Sequence, residues 1–495
     1  MAHNRKSARI NLLLRTVLNH NSYIYDHNVK EDKVLGKDKI LNDTIAAIST
    51  AQGNGGIGIV RISGSDSLKI AEKMFKPFDK ITKISSLKGY TAKYGKIIDK
   101  GNFIDEAVIL VFKAPNSYTG ENVAEISCHG GLFLTRRVLR VALELGARLA
   151  KPGEFTKRAF LNGKMGLVQA ESVMDLIYAK SEKANKIAFE NKEGNINRKI
   201  SILKDKLIDV ASKLAVWSDY PDEEVFEFKI SDLSGEIENT LKSVTNMIKT
   251  YDFGQIIKEG IKTVIVGKPN VGKSTLMNLL SGSQKAIVTD VPGTTRDAIE
   301  ETIMLGGISL RLIDTAGIRD TQDIIEKIGV DKSKNLINSA ELIFAVLDGS
   351  KVLEEEDKKI LNLTQYKNRI IIINKIDLPQ VLNTNSFLKK EEKILCLSAK
   401  NESSLDNLKE IVYKSINKFV SDENDVIISN ERHLDCLKRI RNILKEATDE
   451  LKNGITLDAI TVLIEESINI LNEFTGESAS KEIVDRIFSK FCVGK

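Results

Sequence analysis

Gly267-Lys-Pro-Asn-Val-Gly-Lys-Ser274 decides how the centre of this 495-residue chain must fold. It follows the β-branched run Thr263-Val-Ile-Val266, and its spacing predicts a strand, a glycine turn and a helix. Gly267 and Gly272 let backbone N–H groups curl around phosphate oxygens. Lys273 adds a cation, the Ser274 hydroxyl suits Mg²⁺, and Asn270, Val271 and Thr275 complete the candidate phosphate cradle. Three further motifs follow in order: Asp314-Thr315-Ala316-Gly317, Asn374-Lys375-Ile376-Asp377 and Ser398-Ala399-Lys400. Asp314 is expected to reach Mg²⁺ through water, and Gly317 to present its N–H to a γ-phosphate. The Asp377 carboxylate suits the N1–H and N2 amine of guanine, which adenine does not offer, and an unmet buried donor makes the wrong base costly. Ser398 to Lys400 is expected to brace the base from the other side. The motifs together predict GTP as substrate and a guanine nucleotide hydrolase as the class.

Between the first two motifs lies Asp290-Val291-Pro292-Gly293-Thr294-Thr295-Arg296-Asp297. Its place predicts a switch that orders around the γ-phosphate, with Thr295 on Mg²⁺. One residue departs from the Ras-like pattern. Where those hydrolases carry a water-orienting glutamine, this chain has Ile318. Asp320, Asp323 and Glu326 lie just downstream, and spacing does not choose among them.

Outside this region the chain changes character. The length predicts about three domains. Apolar runs Ile57–Ile62 and Ala107–Phe112, then helical spacing from Leu132 to Leu149, predict a small α+β domain. Three helical stripes are expected: Ile200, Leu203, Leu207, Val210, Leu214 and Trp217; Leu233, Ile237, Leu241, Val244 and Ile248; Leu434, Leu437, Leu444, Ala447 and Leu451. Pro221, in the acidic stretch Asp219 to Glu224, reads as a turn. Between these stripes, strand runs alternate with helices at residues 263–266, 309–313, 342–347, 370–373 and 394–397, which implies a parallel sheet covered by helices. The expected architecture is therefore multidomain. It has an N-terminal extension (1–42), an α+β domain (43–162), and an all-helical domain (163–258 and 419–495) interrupted by an inserted P-loop α/β domain (259–418).

Composition narrows the class without naming it. Lys and Arg total 73 against 68 acids, too even to announce nucleic-acid binding. The four cysteines, Cys128, Cys396, Cys436 and Cys492, form no C-x-x-C pair, which argues against a disulfide framework or structural zinc and for a reducing, cytoplasmic setting. No run approaches the length of a membrane span. Up to Tyr25 the basic residues Arg5, Lys6, Arg9 and Arg15 meet no acid, a pattern that falls short of a mitochondrial transit signal but keeps that location as the alternative. Adjacent Cys128 and His129 would point to opposite faces of a strand, so a structural role is expected for them.

The chain resembles the tRNA modification GTPase family MnmE (TrmE) from Asp43 to Lys495. The resemblance is carried by Gly55-Gly-Ile-Gly-Ile-Val-Arg61, Ser117-Tyr-Thr-Gly-Glu121, Glu125-Ile-Ser-Cys-His-Gly-Gly131, Pro152-Gly-Glu-Phe-Thr156, Arg158-Ala-Phe-Leu-Asn-Gly-Lys164 and Phe491-Cys-Val-Gly-Lys495. It implies an N-terminal domain that dimerises and binds 5-formyl-tetrahydrofolate or a related folate. It also implies a flavoprotein partner, MnmG (GidA), in a heterotetramer that modifies carbon 5 of the wobble uridine U34 of tRNA to a carboxymethylaminomethyl-type group. By the same resemblance, K⁺ replaces an arginine finger, with Asn270, Thr289, Val291 and Thr294 as its ligands. Glu326, ahead of Lys327-Ile328-Gly329, matches the water-orienting glutamate. Arg61, Glu125, Lys164 and Lys495 match folate-contacting positions; each alone reads as a surface charge. Cys492 matches a functional cysteine near the folate, against the plainer reading of a buried thiol at a helix end. Lys495 as the last residue argues against prenylation. Two other classes compete: a ribosome-assembly GTPase, for which no KH-like context is present, and a one-carbon transferase in which GTP only regulates.

Overall fold

The computed structural model describes residues 43–79, 83–219, 230–282, 301–313, 336–383, 392–416, 426–454 and 456–495. The N-terminal extension, Pro221, the switch with Thr289, the Asp314–Gly317 motif, Ile318, Asp320, Asp323 and Glu326 lie outside the described residues. Two compact units divide the rest: residues 43–174, 204–219 and 456–495 form one, and 175–203 with the described part of 230–454 form the other. No helix among the described residues is long and apolar enough to cross a membrane.

The first unit is built on strands β1 (Ile45–Ile48), β2 (Ile57–Ser63), β3 (Phe75–Pro77), β4 (Thr91–Asp99), β5 (Asn102–Phe112), β6 (Val123–His129) and β7 (Arg148–Leu149). Their order across the sheet is β3-β4-β5-β6-β2-β1-β7. The strand runs expected at residues 57–62 and 107–112 are here as β2 and the end of β5. Alternation in β2 sends Val60 and Ile62 into the core and leaves Arg61 on the other face, opposite Glu125 of β6. Helices Ser67–Met74 and Leu132–Glu144 cover the core face, packing Leu68, Ile70, Val138 and Val141 against Val60, Ile109 and Ile126. Beyond the sheet, Leu167 and Ala170 pack with Val484, Phe488 and Phe491, so the chain's last helix belongs to the same body as its first strands.

Arg158, fully buried, holds this unit's edge together. Its guanidinium donates to the Asp43 carbonyl at 2.8 Å and to carboxylate oxygens of Asp43 (2.5 Å), Glu121 (3.0 Å) and Glu154 (3.2 Å). Arg148 donates to the same Asp43 and Glu154 carboxylates at 2.7 and 2.6 Å. Burial alone would raise the Asp43 and Glu154 carboxyls; hydrogen bonds from the arginines outweigh it and hold both below their ordinary values.

In the second unit, strands β8 (Ile261–Val266), β9 (Glu301–Leu305), β10 (Ile308–Leu312), β11 (Leu342–Asp348), β12 (Arg369–Asn374) and β13 (Lys393–Cys396) stand in the order β13-β12-β11-β8-β10-β9. All neighbours are parallel except β9, an antiparallel edge strand that apolar alternation did not reveal. Seven consecutive buried residues make up β11, as a strand covered on both faces requires. Helices Ile230–Lys249 and Glu431–Asn453 pack side by side.

The helical stripes come out slightly rotated from expectation. Ile200 to Leu214 are buried, but Trp217 is 46% exposed. At about 100° per residue, Trp217 falls at the edge of a stripe centred near Leu207. In Ile230–Lys249 the buried face is Leu233, Ile237, Thr240, Val244 and Met247; Leu241 and Ile248 are half-buried. Thr240 is tolerated inside because its hydroxyl donates to the Glu236 carbonyl at 3.0 Å. In Glu431–Asn453, Leu434 is half-buried and Cys436 and Ile440 take the interior.

Arg158→Ala is expected to destabilise the first unit by about 3–5 kcal/mol, because it removes the buried cation shared by Asp43, Glu121 and Glu154 and leaves Arg148 alone to offset Asp43 and Glu154. Since Asp43 and Glu154 titrate below their ordinary values when folded, the network's contribution is full above the ordinary carboxylate range and is lost as pH falls through the folded values. Thermal melts from neutral pH to about pH 3 test this: the variant should lose the wild-type's acid sensitivity in this unit. An unchanged melting temperature would remove Arg158 as the anchor.

Candidate nucleotide and folate sites

The phosphate loop lies between β8 and helix Lys273–Gly282. A Cβ on Gly267 would meet the Val346 carbonyl at 2.5 Å, and one on Gly272 would meet Asn374 Nδ2 at 2.2 Å, so both positions require glycine. Between them Asn270 adopts a left-handed backbone, φ 61°. The first helical bond runs from Leu276 N–H to the Gly272 carbonyl at 2.9 Å, and Ser274 and Thr275 are exposed at the helix start. N–H groups of a first turn have no intrahelical acceptor and face outward for an anion. Lys273 Nζ donates to the carbonyls of Gly267 (2.8 Å) and Lys268 (2.7 Å), which keeps its charge at the loop.

Asn374 joins this loop to the loops that carry the Asn374–Asp377 and Ser398–Lys400 motifs. It is 2% exposed; its Nδ2 donates to the Val271 carbonyl at 2.8 Å and its Oδ1 accepts from Ala399 N–H at 2.9 Å. Lys375, also left-handed at φ 65°, donates to the Asn270 carbonyl and to Asp348 Oδ2, both at 2.7 Å. Asp377 is exposed, and hydrogen bonds from Ser398 first and then its own backbone hold its carboxyl below the ordinary value. It is therefore an ionised acceptor at neutral pH. Ser398 is buried, its carbonyl accepting from Ser404 Oγ at 3.1 Å, and Lys400 is exposed. Asn270, Val271, Gly272, Lys273, Asn374, Lys375, Ser398 and Ala399 thus meet in one place.

Two supporting residues were not foreseen. Asp348 is 7% exposed; its Oδ1 accepts from Ser350 N–H (3.0 Å) and Oγ (2.7 Å), while Oδ2 takes Lys375. Burial would raise its carboxyl, but Lys375 and Ser350 outweigh that and lower it. The signal was available, since the run Leu342–Leu347 ends on Asp-Gly just as the other strand runs end on site residues. Lys268, 8% exposed, is matched by Glu354 (2.9 Å) and Asp357 (2.7 Å).

In the first unit, Arg61 Nε donates to Glu125 Oε1 at 2.7 Å and Nη1 to the Gly494 carbonyl at 3.1 Å. Its guanidinium lies 5.6 Å from the Tyr118 ring centre and 5.5 Å from that of Phe155. Burial first, and then the neighbouring Arg61, push the Lys495 ammonium below its ordinary value; Glu125 and Cys492 act in the opposite direction. Cys492 is half-buried, and its carbonyl accepts from Gly153 N–H at 3.2 Å. Arg61, Glu125, Cys492 and Lys495 therefore converge. Lys164 stands apart among the described residues: it is exposed and donates to the Pro115 carbonyl at 3.1 Å. Cys128 is buried, its thiol donates to the Gly58 carbonyl at 3.5 Å, and burial, then Asp105, push it up to about 11. His129 faces the other way and takes both Asp105 oxygens through Nδ1 (2.8 Å) and its N–H (2.9 Å). Cys128 and His129 are not a catalytic pair.

A strand, glycine loop and helix whose loop is bonded to an N-K-x-D loop form a P-loop nucleotide-binding arrangement. This chain belongs to the tRNA modification GTPase MnmE family, GTP hydrolases of tRNA modification. Residues 44–164 match the family described as the GTP-binding protein TrmE N-terminus, and residues 167–492 match the MnmE helical domain. The tRNA modification GTPase MnmE of Alkaliphilus oremlandii is 44% identical over 92% of this chain and 100% of its own. Those of Thermoanaerobacter pseudethanolicus and Clostridioides difficile are each 42% identical over 92% of this chain, covering 99% and 100% of their own lengths. A crystal structure of bacterial selenocysteine-specific elongation factor EF-Sec aligns with 32% of this chain and 29% of its own at 19% identity and TM-score 0.24.

Gly272→Ala is expected to abolish GTP binding while leaving the first unit folded, because its new methyl displaces the Asn374 amide. Nucleotide affinity by fluorescence titration, beside a thermal melt, checks this. Retained affinity would mean that the Asn374 link is dispensable.

Proposed function

We propose that this chain hydrolyses GTP with Mg²⁺ and K⁺ on an inserted GTPase domain, residues 259–418, to drive modification of carbon 5 of U34 in tRNA. It does so as a homodimer through the N-terminal domain, in a heterotetramer with a flavoprotein of the MnmG (GidA) class, giving a carboxymethylaminomethyl-type group. The observation that carries the nucleotide reading is the Asn374 amide, which ties Val271 of the phosphate loop to Ala399 beside the base-reading Asp377. The bacterial relatives favour the cytoplasm over a mitochondrion.

The residues present fit these groups. The glycine cradle and the Lys273 cation suit phosphates, and ionised Asp377 suits guanine. Ser274, with Thr295, would hold Mg²⁺, while Asp314, Thr315, Ala316 and Gly317 would line the γ-phosphate. Asn270, fixed by Lys375 through its carbonyl and exposed at the loop surface, would hold K⁺ with Thr289, Val291 and Thr294. Bound K⁺ would supply positive charge where negative charge develops on the leaving oxygen. Asp290, Pro292 and Gly293 belong to the same closing loop, and Glu326 positions the attacking water. In the first unit, Lys495 is crowded by Arg61, so the pair gains from an anionic ligand. Arg61 and Lys495 would take carboxylates of 5-formyl-tetrahydrofolate, Glu125 would accept from pterin N–H groups, and Lys164 would join from the rim. Cys492 is the nucleophile available beside them.

Mass spectrometry of wobble nucleosides in tRNA from cells lacking the protein tests the overall reading; unmodified U34 is expected. Asp377→Asn should shift preference from GTP to xanthosine triphosphate, since the amide donates to the extra carbonyl. Unchanged guanine selectivity in a competition assay would refute the base assignment. Hydrolysis should fall sharply when Na⁺ replaces K⁺, and Asn270→Ala should erase that difference. Full potassium stimulation in Asn270→Ala, with Arg296→Ala inactive, would replace the ion by an arginine finger.

A further inference from the structure

Helix Leu132–Glu144 buries Thr135, Val138, Val141 and Ala142 against the sheet of the first unit. On another face Phe133, Arg136, Arg137 and Arg140 recur at helical spacing, i, i+3, i+4 and i+7. Phe133 is 79% exposed. These four side chains, with Asp99 and Glu144, line a cavity of about 450 Å³. None of the three arginines pairs with a carboxylate among the described residues. Glu144 is taken by Lys100 at 3.1 Å, which leaves Asp99 as the acid facing the three cations. Like charges at i, i+4 destabilise a helix, so Arg136 and Arg140 together give this unit nothing in isolation. An exposed aromatic ring set among unpaired guanidiniums on a rigid helix matches a phosphate backbone with an unstacked base.

We infer that Phe133, Arg136, Arg137 and Arg140 form a docking face for tRNA, the arginines taking backbone phosphates and Phe133 stacking on a base. The inference rests on the tRNA-modification reading and adds to it the place where the RNA is held. The helix covers the Val60 and Ile126 face of the sheet, the side opposite Arg61 and Glu125.

The test is binding of an unmodified tRNA transcript to the full-length protein, by fluorescence anisotropy across a salt series. The triple variant Arg136→Ala, Arg137→Ala, Arg140→Ala should bind about tenfold or more weakly at low salt, with a logarithmic salt slope shallower by about 2 to 3. The corresponding triple lysine variant should keep the slope, because it keeps the point charges. Phe133→Ala should weaken binding at least about fivefold with the slope unchanged. GTP hydrolysis in the absence of tRNA should be that of the wild type in every variant. If the wild type binds and the alanine triple binds equally well with the same slope, the docking face is wrong while the tRNA-modification reading stands. If the wild type binds no tRNA, both fall. Intact tRNA binding with loss of an acidic protein partner, or a changed oligomeric mass, would assign the face to protein contact and overturn the inference.

Discussion

One buried amide sets the geometry of the nucleotide floor. The Asn374 side chain gives its NH₂ group to the phosphate loop, and its carbonyl oxygen accepts from the Ser398–Lys400 loop. An amide has fixed internal dimensions, so the two loops cannot drift apart without leaving a buried polar group unpaired, at roughly 1–3 kcal/mol. The glycine at 272 follows from this, since the amide occupies the space where a Cβ would stand. Lys375 adds a second tie one residue on, and Asp348 fixes that lysine from β11. Three strand ends and the glycine loop are thereby tied together, with Asp377 exposed beside them as an ionised acceptor.

The first unit uses charge differently. Its N-terminal strands and C-terminal helix are brought together by contacts between residues far apart in sequence: Ser49 Oγ donates to the Gly494 carbonyl at 3.2 Å, and Gly153 packs so tightly on Phe488 that a Cβ would lie 2.6 Å from its carbonyl. The motifs Ser117–Glu121, Pro152–Thr156 and Arg158–Lys164 acquire a physical reason here. They supply Glu121, Glu154 and Arg158 to one ion network and Gly153 to one close approach. The two units interleave in sequence, with 175–203 and the described part of 230–454 lying between segments of this one, so its first and last segments pair across a long stretch of chain.

What could be read from sequence depended on whether a residue's neighbours were local. The runs at 263–266 and 342–347 were legible because a strand buried on both faces is apolar throughout. Strand β4, Thr-Ala-Lys-Tyr-Gly-Lys-Ile-Ile-Asp, was not, because its outward face carries Tyr94 and Lys96, lysine also interrupts the inward face at Lys93, and its identity comes from pairing with β5. Helical stripes were found but misaligned by part of a turn, since Thr240 looks polar until its hydroxyl is seen bonded to its own helix. Phosphate-loop and base-reading residues were legible as motifs. Asp348 carried only the weaker signal of a strand run ending on Asp-Gly, since its role exists through Lys375, and Phe133 with Arg136, Arg137 and Arg140 was lost inside a helix noted only for its apolar spacing.

Compensation of charge separates structural from ligand-facing cations in this molecule. Arg158 and Lys268 are buried, and each meets at least two carboxylates. Burial without such partners would cost several kcal/mol per charge, so the charge of each is matched inside the fold, even though the buried Arg158 Nε has no hydrogen-bond partner. Lys495 is the reverse: half-buried, pushed toward its neutral form by burial and Arg61, and only partly offset by Glu125 and Cys492. Arg136, Arg137 and Arg140 form a second surplus, left in solvent on a rigid helix. Evenness of total charge concealed this, because acids elsewhere in the chain balance the sum without neutralising these local clusters. A chain with a net charge of only +5 can therefore present strongly cationic surfaces. In charge and extent, the enclosed surplus beside Lys495 suits a small anion, and the surplus spread along a helix suits a large polyanion.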